Sequence, residues 1–152
     1  MLTEVLKTIF LRDLEKLKIE LLAYKDEGRI WQVEKNIANS AGNLCLHLVG
    51  NLNTYIGAVY ANTGYVRNRP LEFSQKNIPR AQLVSMIEET KVAVGNGLDN
   101  ITAGDLANEY PMQVFENKTT TEYFLVHLAS HLGYHLGQVN YHRRLLDVQV
   151  GE

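Results

Sequence analysis

The chain has 152 residues, 45% of them hydrophobic and 21% charged, with a formal net charge of −2. That length suits one domain able to bury its own core, and the composition excludes a disordered chain. The near-neutral balance, with no long basic stripe, gives no electrostatic basis for nucleic-acid binding, and the single cysteine, Cys45, excludes an intrachain disulfide and fits a reducing, cytoplasmic setting.

The first predicted helix spans about residues 2–24, with Val5, Ile9, Leu14, Leu17 and Leu21 near one face and Lys or Glu opposite. Its charges run throughout, unlike the uninterrupted apolar core of a signal peptide. No apolar run in the chain approaches the roughly 18 residues needed to span a bilayer, so no membrane association is expected. Gly28 closes this region. The second helix follows the capping candidates Asn39 and Ser40 and runs to about Tyr60. A polar connection of roughly 18 residues comes next, far above the usual ~2–8 between antiparallel neighbours. It holds Gly64, Arg67, Arg69 and Pro70. That length permits a crossover, which would leave the second and third helices parallel.

The third helix starts near Pro79, a residue suited to a first turn, and continues to about Leu98. Residues 102–118 are less periodic, and ANEYPMQVFENK has room for a short extended piece broken by Pro111. Thr119 or Thr120 then caps a fourth helix that runs to about Leu146. With no internal repeat and no linker, residues 1–152 read as one all-α domain, a four-helix bundle.

The fourth helix contains VHLASHLGYHLGQVNYHRR, which holds four of the five histidines. At about 100° per residue, His127, His131 and His135 fall at about 0°, 40° and 80°, beside a core stripe of Leu128, Leu132, Leu136 and Val139. Gln138 shares their sector. The small residues Ala129, Gly133 and Gly137 lie on roughly the opposite side. Residues eight apart are about 12 Å apart along the axis, so one ion cannot take all three imidazoles. A neighbouring pair can converge, and by spacing alone 127/131 and 131/135 are equivalent.

His47, in NLCLHLVGNLNTYIG of the second helix, also borders an apolar stripe and has Asn51 beside it. Two helices with imidazoles at the edges of their buried faces can build a three-histidine site with positions open to water or substrate. Cys45 is about 200° around the helix from His47 and reads as a core thiol. His142, in YHRR near the helix end, reads as a cation facing the terminal carbonyls. Arg67 and Arg69 are candidates for an anionic substrate, although loop arginines are usually only solvated.

SHLGYHLGQVNYHRRLL resembles the last core helix of the DinB-like (DinB/YfiT-like) superfamily, and LCLHLVGNLNTYIG resembles its second-helix segment. Members carry one histidine in the second helix and an HxxxH pair in the last, closely followed by Gly-Gln. The matching residues here are His47, then His131 and His135, followed by Leu136-Gly137-Gln138. The resemblance implies an up-down-down-up bundle, a divalent ion (zinc or nickel) and a homodimer. It selects the pair 131/135 and makes His127 a residue of the pocket. It further implies a thiol-dependent transferase acting on a small electrophile, with a low-molecular-weight thiol as cosubstrate. Gln138 and Asn51 would then orient the ligands through hydrogen bonds, with Tyr134 a weaker pocket candidate. Metal-dependent hydrolysis and a non-catalytic metal-binding bundle are the alternatives. Neither of the two helices places an Asp or Glu beside the histidines, which favours a nucleophile that arrives with a cosubstrate.

Overall fold

Each of the four periodic stretches forms a long helix. The protein is described here by a computed structural model covering residues 1–149. Helix α1 (Leu2–Ala23) buries Leu6, Phe10, Leu14, Leu17 and Leu21. Stepping back from Leu21 by three or four residues leads through Phe10 to Leu6, so the stripe misses Val5, which is 55% exposed, and leaves Ile9 at its edge.

Helix α2 (Ala41–Leu52) starts at Ser40, whose hydroxyl accepts from the Asn43 N–H. Helical backbone continues through residue 60, with Asn53–Ala58 widened into a π-helix. Every residue of α2 is buried, where a one-sided stripe was expected. A helix apolar nearly all round belongs at the centre of a domain. The chain after α1 makes a 3₁₀ turn, Glu27–Trp31, that helps enclose it, and Trp31 lies so close to Gly42 that a Cβ there would come within 2.6 Å of the indole.

The long connection contains a short helix, α3 (Arg69–Ser74), capped by Asn68, whose side chain accepts from the Leu71 N–H. Helices α4 (Arg80–Asp99) and α5 (Ala103–Ala107) follow. The last, α6 (Thr121–Leu146), is capped by Thr120, whose hydroxyl accepts from the Tyr123 N–H. Among the described residues there is no strand. The stretch expected to hold an extended piece forms only an isolated antiparallel bridge between Glu109 and Thr120. The fold is all-α, and no helix among the described residues is long and apolar enough to cross a membrane.

Side-chain pairings give the helix directions. Lys7 meets Asp99 and Lys91 meets Glu15, so α1 and α4 are antiparallel. Asp13 lies beside Gly133, while Glu20 accepts from Asn140 and Arg143, so α1 and α6 are parallel. His47 faces His131 and Tyr55 packs on Phe124, so α2 and α6 are antiparallel. The Asn53 amide donates to Thr90 and the Asn100 amide to the Tyr60 carbonyl, so α2 and α4 are parallel. The order is up-down-down-up, and the connection carrying α3 is the crossover. Gly133 and Gly137 are exposed along the seam between α6 and α1.

His142 differs from the expected terminal cation. It is 3% exposed, its Nε2–H donates to the Gln32 carbonyl at 2.8 Å, and its Nδ1 accepts from the Tyr24 hydroxyl at 2.6 Å. The 3₁₀ turn and the end of α1 cover the last turns of α6, so an imidazole there is buried. Burial, partly opposed by the Gln32 bond, holds its pKa below the ordinary value. His47 and His131 are lowered too, first of all by burial. A lowered histidine pKa means that below about pH 6.5 the unfolded chain takes up the proton first. Stability is therefore fully present above that pH and lost as pH falls through the window beneath it. The urea midpoint of metal-free protein should be level from pH 8 to 7 and drop towards pH 5. His142→Gln should reduce that drop; an unchanged pH profile in the variant would count against His142 as a contributor.

Candidate metal centre

The antiparallel packing of α2 on α6 sets His47 against the second half of the His127–His135 series. Nε2 of His47 and Nε2 of His135 each lie 3.1 Å from Nε2 of His131. One ring nitrogen from each of the three histidines falls within 4.8 Å of the others. For tetrahedral zinc with Zn–N of about 2.0–2.1 Å, ligand nitrogens are about 3.3 Å apart. The two 3.1 Å separations are close to that spacing.

Protonation points the same way. Nδ1–H of His47 donates to Oε1 of Glu72 at 3.1 Å, and Nδ1–H of His135 donates to Oε1 of Gln138 at 2.7 Å. Each acceptor fixes its ring in the tautomer whose Nε2 carries a lone pair. Both lone pairs point at Nε2 of His131. A single proton on that atom could satisfy only one of them, whereas a cation among the three satisfies all. Burial, reinforced by the neighbouring imidazoles, lowers the His131 pKa to about 4. Burial likewise lowers that of His47, against an opposing pull from Glu72. These rings are neutral near pH 7, the state a metal ligand requires. His131 departs from the usual pattern in one respect: its Nδ1 is buried and has no hydrogen-bond partner among the described residues.

Glu72 comes from α3, in the crossover, and sequence reasoning missed it. It is 6% exposed. Arg67 clamps it with Nε to Oε2 at 2.8 Å and Nη2 to Oε1 at 2.9 Å. Nη2 also lies 3.3 Å from Nδ1 of His47, but both atoms carry protons and share Oε1 as acceptor. Gly50, one turn after His47 on α2, makes room for this carboxylate, since a Cβ there would overlap it. The Asn43 amide holds α3 down by donating to the Glu72 and Gln75 carbonyls, both at 2.9 Å. Phe73 covers the outer side of His47, with ring centres 5.1 Å apart. The Asn68 cap followed by Pro70 in the first turn was the available sign of a helix here.

The other expected residues divide. His127 stays out of the converging group; its ring stacks 6.2 Å from that of His131 and packs edge-on to Phe115. Gln138 accepts from Nδ1–H of His135. Asn51 makes no hydrogen bond to these histidines; it is 8% exposed and its Oδ1 has no partner among the described residues. Tyr134 is 65% exposed and only flanks His135 from outside. Cys45 is buried, and burial raises its thiol to about 12, which keeps it protonated and unreactive.

A cavity of about 350 Å³ opens beside His47 and His131, walled by Asn51, Tyr55, Arg67, Arg69 and His127 together with apolar side chains. Tyr55 belongs to the π-helical stretch, a feature often found at functional sites. Three imidazoles that converge beside a polar cavity can hold a divalent ion while leaving coordination positions towards a small molecule.

No curated protein and no solved structure matches the chain. A family comparison matches residues 4–149, nearly the whole chain, and on that match the protein belongs to the family described as "Protein of unknown function (DUF1572)".

Proposed function

We propose that this protein is a DinB-like metal-dependent enzyme that transfers a small thiol to an electrophile. The supporting observation is the convergence of Nε2 of His47 and Nε2 of His135 on His131, with two tautomers fixed from behind, at the wall of a cavity. A divalent ion such as zinc or nickel, held by His47, His131 and His135, would supply Lewis acidity that favours the thiolate form of an incoming thiol. The chain's own residues keep His47 and His131 neutral by burial, orient His47 and His135 through Glu72 and Gln138, and leave a small polar space for the reactants. The thiol sulfur forms the new bond to carbon, the leaving group departs with its electron pair, and the thiol proton passes to solvent.

Glu72 bears on the choice between thiol transfer and hydrolysis. It is a carboxylate close to the site, yet it lies behind His47 and both of its oxygens are engaged by Arg67. No Asp or Glu among the described residues lines the cavity. A general base of that kind is what hydrolysis would ordinarily use. The test incubates zinc- or nickel-loaded protein with a chlorinated aromatic and a panel of low-molecular-weight thiols. Metal-dependent loss of both thiol and electrophile is expected. Turnover of ester or amide substrates without thiol would replace this reading with hydrolysis. Stoichiometric metal with no turnover in either panel would reduce the site to a structural one.

A further inference from the structure

Among the basic residues on the cavity wall, Arg67 is neutralised by Glu72, whereas Arg69 has no ion-pair or hydrogen-bond partner among the described residues. Arg69 is not a loose loop side chain. It is the first residue of α3, which Asn43 ties to α2, and its guanidinium lies 5.8 Å from the centre of the Phe73 ring. A cation over an aromatic face is attracted by the ring quadrupole, which favours that placement of the side chain. Asn51 stands on the same wall, buried, and makes no side-chain hydrogen bond to any described residue. A buried amide left unmatched is costly, and one lining a cavity can be satisfied by a ligand. Its last torsion is two-fold and broad, so with no partner to lose it can turn its NH₂ towards an anion.

We propose that Arg69 and Asn51 form a subsite for a carboxylate carried by the substrate or its thiol cosubstrate. For its place in a reaction this rests on the metal-dependent reading above. One unpaired guanidinium and one amide match a group with a single charge and two acceptor oxygens; a phosphate dianion would ordinarily call for more cations. The cavity, about 350 Å³, is at the small end of ligand sites, and no Asp or Glu among the described residues lines it to repel an anion.

The test is calorimetric titration of zinc-loaded protein with succinate and with succinamide, its neutral counterpart. Succinate should bind, with succinamide and the Arg69→Ala variant each weaker by roughly tenfold or more, and Arg69→Lys in between. Arg69 is exposed, so the variant should keep the wild-type melting temperature, which is checked alongside. Equal succinate affinity in wild type and Arg69→Ala would overturn the subsite, because the metal alone would then be drawing the anion. Equal affinity for succinate and succinamide, or no succinate binding by wild type, would overturn it too. Zinc content of the same samples keeps the two ideas separate. If the chain takes up no zinc, the metal-dependent reading fails, and titration of the metal-free protein still decides whether Arg69 binds carboxylate.

Discussion

Untagged protein purified without chelator should carry about one divalent ion per chain, as a three-histidine site requires. His47→Ala, His131→Ala and His135→Ala should each bring that content close to background, while His127→Ala leaves it near the wild-type level. The expectation follows from which nitrogens meet: His131 is 3.1 Å from Nε2 of both His47 and His135, and His127 is outside the converging group. Gln138→Leu removes the acceptor that fixes the His135 tautomer, and should weaken binding by roughly 10–100-fold without abolishing it. Elemental analysis and competition with a chromogenic chelator measure both effects. If His127→Ala loses metal while His135→Ala keeps it, the ligating pair is 127/131. If wild type remains empty when zinc is supplied, the convergence of imidazoles has some other cause.

The three converging histidines were legible as candidate ligands because helical period is a local property. The spacing in VHLASHLGYHLG places each histidine at the edge of a leucine stripe, and the structure finds Leu128, Leu132 and Val139 buried beside them. Choosing between 127/131 and 131/135 needed something no single helix contains, namely the register of α2 against α6. The resemblance to known helices made that choice in sequence terms, and in space the packing brings His47 together with His131 and His135. The four long helices were legible for the same local reason, down to the Ser40 and Thr120 caps.

What was not legible depends on tertiary contact. Glu72 is 25 residues from His47, in a polar stretch with no apolar period to draw attention to it. It is buried only because Gly50 leaves a slot and Arg67 folds over it. His142 shares the composition of an ordinary helix end, and only the turn through Gln32 and the Tyr24 hydroxyl makes it a buried neutral ring. α2 looked one-sided because its polar residues, Asn43, His47 and Asn51, mark a face that in most helices would meet water. Here Asn43 and His47 meet α3 and His47 also meets α6, while Asn51 faces the cavity wall.

Glu72 should therefore be the most consequential residue outside the ligand set, through two effects that can be separated. Glu72→Ala leaves the Arg67 guanidinium, whose side chain is 14% exposed, without its counter-charge. Breaking a buried ion pair from one side costs about 3–5 kcal/mol, so a large fall in the urea midpoint is expected. The same change removes the acceptor for Nδ1–H of His47, and metal affinity should fall by roughly 10–100-fold. Glu72→Gln keeps an oxygen for His47 but loses the charge, so it should recover metal affinity better than stability. The double variant Glu72→Leu with Arg67→Met removes both charges, and replacing a buried pair by apolar side chains is often neutral for stability. It should regain much of the lost stability while metal binding stays weak. Gly50→Ala, which drives a methyl into the space of the Glu72 carboxylate, should weaken metal binding without touching any ligand. If the double variant binds metal as tightly as wild type, Glu72 serves only to neutralise Arg67. If it binds weakly and remains well folded, the carboxylate positions His47, and the crossover helix is part of the metal centre.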